Sequence, residues 1–381
     1  MAGIYVHIPF CRSRCIYCDF YSTTREGDLP RYVTALCEEI ESRRHELGTS
    51  RIRTIYIGGG TPSLLSPTLL RRILDEVHAD YAVEDGAEVT VEMNPDDGLR
   101  MACDIVSQAE DVSLLRFPFN RVSLGIQTFD DDLLHLLRRR HDAQTAIRAV
   151  RQLQEVAGIR NISIDLIYGL PGQTLAQWEH DLDIAFSLGI QHLSAYALSY
   201  EEGTTLTQWR AQGIVQEAAE ELSVAMYERL CRRAEEAGFT HYEISNFALP
   251  GFHSRHNSSY WTGDAYLGFG PGAHSYDGRR TRKANPTDLD AYLRHPTAEG
   301  VTEELSDDEL YDEAVLCGLR TRWGIDLDGI AARFGNRRQA YLMAAAQPHL
   351  REGRLILAGG HLTLAHTALM TSNDIMSDLM A

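Results

Sequence analysis

The sequence predicts an α/β fold: six parallel strands curled into a partial (β/α)6 barrel of the TIM type, followed by a small α+β unit of winged-helix character. Three observations predict it. Short β-branched apolar runs alternate six times with longer amphipathic stretches, which is the rhythm of parallel strands joined by right-handed helical crossovers. Polar or glycine-rich turns (GGGTPS, NPDDG, QTFD, GLPGQT, SYEEG) follow nearly every strand run. A barrel gathers all such strand ends round one mouth, whereas an open sheet uses mainly those at its switch point. Finally, the pattern turns helical near residue 288 and closes on a strand pair.

The strands are expected at 4–8 (IYVHI), 54–58 (TIYIG), 88–93 (EVTVEM), 121–126 (RVSLGI), 161–168 (NISIDLIY) and 192–199 (HLSAYALS). They read as apolar on both faces, as buried parallel strands do. The helices are expected near 30–46, 67–79, 97–109, 142–157, 174–187 and 217–237. Ser66 is placed to cap the second of them, with Pro67 in its first turn. This gives a barrel domain over 1–240. Residues 241–287 are rich in Gly, Ser, His and aromatics, with one strand candidate in HYEISNF, and are expected to form a loop-rich segment that closes the barrel. A C-terminal domain follows over 288–381, with helices at TDLDAYLR, SDDELYDEAVLCGLR, GIDLDGIAARFG and RRQAYLMAAAQPHLREG and the strand pair RLILA and HLTLA. GFGPGA (268–273) reads as a tight aromatic loop; its glycine order and the lack of a following helix exclude a dinucleotide fingerprint.

Composition narrows the function. The formal charge of −18 disfavours broad nucleic-acid binding, with RRRH at 138–141 as a local basic exception. No apolar run reaches the ~18–20 residues of a membrane span, and MAGIYVHIPFC lacks the build of a secretory signal, so the cytoplasm is the expected compartment. Seven cysteines are too few, and odd in number, for a disulfide scaffold. Cys37, Cys103, Cys231 and Cys317 are scattered and read as small core hydrophobes.

The other three form C-x3-C-x2-C: Cys11, Cys15 and Cys18, in the loop after the first strand. Three thiolates on one tight loop can hold three corners of a [4Fe–4S] cubane. The fourth iron is then open to chelation by an amino acid's amino and carboxylate groups, as in S-adenosylmethionine. The competing reading is structural zinc, which wants four closed ligands. There is no second cysteine pair, and His7, on an alternating strand, is the one neighbouring candidate for a fourth ligand.

Taken together, YVHIPFCRSRCIYCDF, IYIGGGTPS, VTVEMNP, RVSLGIQTFDDDLLHLLRRRH, IDLIYGLPGQT, HLSAYALS, YEISNFALPG, RHNSSYW and YLGFGPGAHSY resemble the radical S-adenosylmethionine superfamily. More narrowly they resemble the branch that holds the oxygen-independent coproporphyrinogen III oxidases and the HemW-type heme chaperones. The resemblance implies that Gly59, Gly60 and Thr61 receive the amino group of S-adenosylmethionine and that Glu92 and Arg139 contact its methionine part. It further implies that Gln127 and Asp165 bind its ribose, with Tyr5 and Tyr17 beside the adenine. On residue type alone, Gln127 is equally a strand-end cap and each tyrosine a core residue, while Glu92 needs a partner because a carboxylate in an apolar strand is costly.

Within that branch, the oxidases carry a further cysteine two residues after the third cluster cysteine. Here that residue is Phe20. They also carry an extension ahead of the cluster strand, and this chain begins four residues before Tyr5. Both departures argue against oxidative decarboxylation in porphyrin biosynthesis, which stays the alternative reading. His256, Asn257, Tyr260 and Trp261 match the H-N-x-x-Y-W signature of the HemW branch, so the resemblance implies heme contact there. An imidazole suits heme iron, and Tyr and Trp offer flat surface to the macrocycle. The bland alternative is a loop that closes the barrel with His256 as a buried hydrogen bonder. Relatives often carry a cysteine where this chain has Ser254, which leaves His253 and His274 as weaker ligand candidates. The expected partners are heme and heme-acceptor proteins such as respiratory cytochromes, with room for peripheral membrane contact and a homodimer. Whether S-adenosylmethionine is cleaved is left open by the residues.

Overall fold

A computed structural model describes residues 2–107, 118–155 and 158–381. The first part alternates as expected: β1 (Ala2–Ile8), α1 (Leu29–Ser42), β2 (Ile52–Gly59), α2 (Pro67–Asp80), β3 (Val83–Met93), α3 (Pro95–Ser107), β4 (Arg121–Gln127), α4 (Asp131–Leu136), α5 (Ala143–Glu155), β5 (Ile162–Tyr168), α6 (Leu175–Ser187), β6 (His192–Ala197), α7 (Thr205–Ala211) and α8 (Glu220–Glu236). The far ends of the helices expected at 97–109 and 142–157 lie outside the described residues. Ser66 caps α2 by accepting from the Leu69 amide, and Pro67 opens the helix. The short helices α4 and α7 have no counterpart in the sequence reading.

Strands β1 to β6 pair in sequential order and in parallel. Among the described residues β1 and β6 do not pair, so the barrel is partial. The expectation of apolar strands on both faces is corrected. One face is apolar: Ile4, Val6, Ile8, Ile55, Ile57, Val89, Val91, Val122, Leu124, Ile162 and Ile164 pack with the helices in one large core. Alternate positions carry Thr54, Glu88, Thr90, Glu92, Arg121, Ser123, Ser163, Asp165, His192 and Ser194. The strand period of two turns these onto the opposite face, which lines a polar lumen.

The segment 241–287 is far more structured than a loop-rich reading allows. HYEISNF divides into β7 (Thr240–Glu243) and β8 (Asn246–Ala248), and β8 adds antiparallel to β6. RHNSSYW lies within α9 (Arg255–Thr262), started by the Ser254 side chain accepting from the Asn257 amide and ended by Gly263 at φ 68°. Serine at the N-cap and glycine in the left-handed region after the last turn are strong helix delimiters. Residues 265–269 form β9 (Ala265–Phe269), which pairs in parallel with the outer side of β1. Then β10 (His274–Tyr276), β11 (Thr281–Ala284) and, beyond α10 (Leu289–Arg294), β12 (Val301–Glu304) extend a twelve-stranded sheet.

The C-terminal unit has its own hydrophobic cluster. It is built from α11 (Asp307–Leu319), β13 (Ile325–Asp326), α12 (Leu327–Phe334), α13 (Asn336–Arg351), β14 (Leu355–Ala358), β15 (His361–Leu364) and α14 (Ser372–Leu379). The expected strand pair is β14 with β15, and β13 adds a third, antiparallel strand.

One buried carboxylate ties the added strands to the barrel. Glu39 on α1, 2% exposed, accepts from Arg43 at 3.0 Å, the Gly270 amide at 2.8 Å, Asn285 at 2.8 Å and the Tyr292 hydroxyl at 2.8 Å. Removing the acid takes this acceptor from the buried Gly270 amide and Tyr292 hydroxyl and one carboxylate from Arg43, which keeps Glu46 and the Gly268 carbonyl. Glu39→Ala is expected to cost about 3 kcal/mol of stability, read as a lower urea midpoint at unchanged slope.

Candidate functional site

The cysteine loop leaves the C-terminal end of β1 and is pinched at its base. The Cys11 amide donates to the Thr23 carbonyl at 2.8 Å, and the Thr23 amide to the Pro9 carbonyl at 2.7 Å. Cys11 is buried, while Cys15 and Cys18 are half-buried. Burial, reinforced by the neighbouring thiols, pushes Cys11 up and Cys18 up to about 11. The three sulfurs therefore feel one another, yet they are not all within 4.8 Å of each other. Thiolates on one tetrahedral zinc stand only about 3.8 Å apart, given Zn–S bonds near 2.3 Å. A cubane spreads its ligands more widely because each thiolate binds a different iron.

The glycine turn abuts this loop. A Cβ at Gly60 would lie 2.7 Å from the Phe10 carbonyl oxygen and 3.0 Å from Cys11 Sγ. Gly59 has φ 107°, and a Cβ there would meet the His7 ring at 2.5 Å. Only glycine fits, and the bare backbone is left facing the site. Beside it runs a chain of polar contacts. Thr61 Oγ1 donates to Cys11 Sγ at 3.5 Å, and Asn94 Nδ2 donates to Thr61 Oγ1 at 3.3 Å. Arg139 Nη2 donates to Asn94 Oδ1 at 2.6 Å and to the Gly125 carbonyl, while its Nη1 donates to Cys15 Sγ at 3.3 Å. The path therefore runs from one cysteine back to another. Asn94 is a link that sequence reading missed, although NPDDG was already marked as a polar strand-end turn.

Glu92 and Arg139 do not pair with each other in the structure. Glu92 accepts instead from the Tyr56 hydroxyl at 2.7 Å and the Gly59 amide at 3.0 Å. Burial raises its carboxyl to about 7; Asp165 repels it as well, and the two hydrogen bonds oppose the rise. Asp165 is held by Ser123 Oγ at 3.2 Å from each oxygen. Gln127 takes φ 76°, rare for a side-chain-bearing residue, where the β4–β5 register shifts. Its Nε2 lies 3.0 Å from the position a Gly125 Cβ would occupy, so Gln127 and Arg139 face the same small opening. Tyr17 sits against Cys15 and Arg139.

Tyr5 lies between this group and the α9 signature. Its hydroxyl hydrogen-bonds His7 Nδ1 at 3.0 Å, on the ring that walls Gly59, and its own ring stacks near Tyr56 and His256. Burial and then the nearby Glu92 carboxylate push its hydroxyl pKa up. His256 is 1% exposed. Its Nδ1 pairs with Thr54 Oγ1 at 2.9 Å and its Nε2 with the Tyr260 hydroxyl at 2.9 Å. The amides of Arg255 and His256 donate to Glu88 at 3.1 Å each, a carboxylate on a helix N-terminus. Burial lowers the His256 pKa to about 3, so the ring is neutral. Gly3, Thr54 and Glu88 lie toward the strand starts, so α9 plugs the end of the lumen opposite the cysteines. Tyr260 stands edge-on to Tyr266, Asn257 is half-buried beside them, and Arg320 lies over the Trp261 ring at 5.6 Å. Ser254 serves as the helix cap, His253 packs on Tyr242, and His274 is exposed on β10. Arg121 was also missed: it is 1% exposed, with Nε lacking a partner. The signal was a cation opening an apolar strand.

A raised Glu92 pKa makes stability depend on pH. The folded chain holds this proton up to about 7, whereas an unfolded carboxyl releases it near 4.3. Stability therefore falls as pH rises through this window and stays low above it. Glu92→Gln in the ligand-free chain is expected to flatten the pH 5 to 8 decline by about 2 kcal/mol, measured by urea denaturation across pH. An identical slope in both proteins refutes the assignment.

Comparison with known proteins agrees with this architecture. Residues 5–185 match the Radical SAM superfamily model, and residues 305–370 match the HemN C-terminal domain. The chain is 33% identical to "Heme chaperone HemW" of Bacillus subtilis over 98% of each protein. It is 34% identical to the protein of the same description from Mycobacterium tuberculosis, over 97% of this chain and 94% of the relative. "Radical S-adenosyl methionine domain-containing protein 1, mitochondrial" of Danio rerio is 32% identical over 100% of this chain and 87% of the relative. Among solved structures, coproporphyrinogen III oxidase (HemN) of Escherichia coli superposes with a TM-score of 0.81 over 100% of this chain and 90% of the other, at 20% identity, which is a likeness of fold. With matches of this identity running almost end to end, the chain belongs to the HemW family of the radical SAM superfamily.

Proposed function

We propose that this protein is a heme chaperone: it binds heme and passes it to acceptor proteins, with a [4Fe–4S] cluster and S-adenosylmethionine as resident cofactors. The observation that carries the reading is the end-to-end match to curated heme chaperones, together with the intact H-N-x-x-Y-W signature. Phe20, 62% exposed where the oxidases carry a cysteine, supports the chaperone over porphyrin decarboxylation.

The residues suit the cofactors. Cys11, Cys15 and Cys18 would hold the cluster, which supplies one-electron chemistry to the adenosyl compound when both are bound. The Gly59–Gly60 backbone and Thr61 would receive the amino group of S-adenosylmethionine. Arg139 would neutralise negative charge beside Cys15 and offers a donor to a carboxylate. Glu92, with a pKa near 7, would accept from an ammonium and lose its proton on contact. Asp165 and Gln127 would take ribose hydroxyls, with Tyr5 and Tyr17 beside the adenine. The heme acceptors would be proteins such as respiratory cytochromes. No helix among the described residues is long and apolar enough to cross a membrane.

His256 would reach heme iron only after Nε2 is released by Tyr260. This makes the two residues a paired test. Anaerobic reconstitution should load roughly four irons per chain, and Cys11→Ser, Cys15→Ser or Cys18→Ser should each abolish loading. In heme titrations of the reconstituted protein, His256→Ala should shift or remove the heme absorption band. Tyr260→Phe frees Nε2 and should keep the band position while tightening binding. A His256→Ala spectrum identical to wild type removes His256 as the ligand. Failure of the wild type to bind heme overturns the proposed function.

A further inference from the structure

Cys231 reads in the sequence as one of the scattered core cysteines, and the fold gives it company. It lies on α8, buried, against His241 of β7 and His366 of the turn that follows β15. One ligand atom of each lies within 4.8 Å of the other two, the one such trio of His, Cys, Asp or Glu among the described residues. Heme iron takes at most two protein ligands, one on each face, so three donors converging on a point suit a free ion better than a porphyrin. A tetrahedral ion with bonds of about 2.0–2.3 Å spaces its ligands about 3.3–3.8 Å apart, a distance that small side-chain rotations reach from here.

Three further features point the same way. The Ile244 carbonyl oxygen lies 3.1 Å from His241 Nε2. A carbonyl oxygen can only accept, so the neutral ring carries its proton on Nε2 and holds its lone pair on Nδ1. His241 is also held in place by Phe247, stacked at 4.2 Å between ring centres. All three donors line a cavity of about 450 Å³, and His366 is exposed at its rim, so an ion has both an entry route and space for a fourth ligand.

We propose that Cys231, His241 and His366 form a second metal site in this protein, a tetrahedral Cys–His–His centre for zinc or a similar borderline divalent ion, with its fourth position facing the cavity. Binding forms a sulfur–metal bond and releases the thiol proton to solvent. In the ion-free chain burial holds that thiol neutral, with its pKa pushed up to about 12. The ion would pin the segment after β15 to β7 and so clamp the C-terminal unit to the barrel.

Cobalt(II) is the probe, in the full chain carrying Cys11→Ser, Cys15→Ser and Cys18→Ser so that the cluster loop cannot take the ion. The expected result is one equivalent of Co2+ with intense tetrahedral d–d bands and a sulfur-to-cobalt charge-transfer band, both displaced by Zn2+. Adding Cys231→Ser should remove the charge-transfer band. His366→Ala, at an exposed position, should leave the circular dichroism unchanged and weaken cobalt binding more than about a hundredfold, the upper cost of losing even an outer-shell partner. Absence of tetrahedral bands, or a charge-transfer band that survives Cys231→Ser, overturns the proposal. Heme binding shares none of these residues and can fail or succeed independently.

Discussion

The two-residue period of the parallel strands governs this molecule. Because β1 to β6 run parallel in sequential order, side chains along each strand alternate between the helices and the lumen, with the pairing reset where the register shifts, as at Gln127. The same parallel order brings all the strand ends to one side, so the cysteine loop after β1, the glycine turn after β2, Asn94 after β3 and Gln127 at the end of β4 become neighbours. A slip of one residue in any strand would turn its serines and carboxylates into the helix layer and its isoleucines into the lumen.

The polar lumen carries an energetic cost that the sheet alone does not offset. Burial penalises charge on Glu92 and Asp165, and the buried Arg121 keeps a nitrogen without a partner. Apolar packing at those positions would give a more stable barrel. Buried ionisable groups that are kept at such cost, around a turn where a Cβ has no room, mark a space shaped for a polar ligand. The α9 plug follows the same logic at the other end, where Glu88 satisfies the helix amides and Thr54 and Tyr260 satisfy both nitrogens of His256.

The six barrel strands were legible because their β-branched runs end in punctuating turns, and the cysteine loop because its chemistry is local. The polar face is hard to read in the sequence because Thr54, Thr90, Ser123, Ser163 and Ser194 are small and lie among aliphatic residues, where they pass for strand formers. RHNSSYW reads as loop because most of its residues are poor helix formers, although Ser254 and Gly263 bracket it. The run YLGF was lost among glycines, and its role as β9 depends on a partner some 260 residues away in the chain. Glu92 and Arg139 share a site but not a contact, since geometry gives each a closer partner. The Cys231, His241 and His366 trio has no local signature at all.

The pairing of β9 with β1 has a consequence for biogenesis. Strand β1 gains its outer neighbour only from residues 265–269, far later in the chain. Until then the segment bearing Cys11, Cys15 and Cys18 hangs from an open sheet edge, exposed to wrong partners and to oxidation. Some 260 further residues must therefore be synthesised after β1 before the cysteine loop gains its outer support. Any metal loading of that loop is favoured once β9 has paired, not while β1 is still an edge strand.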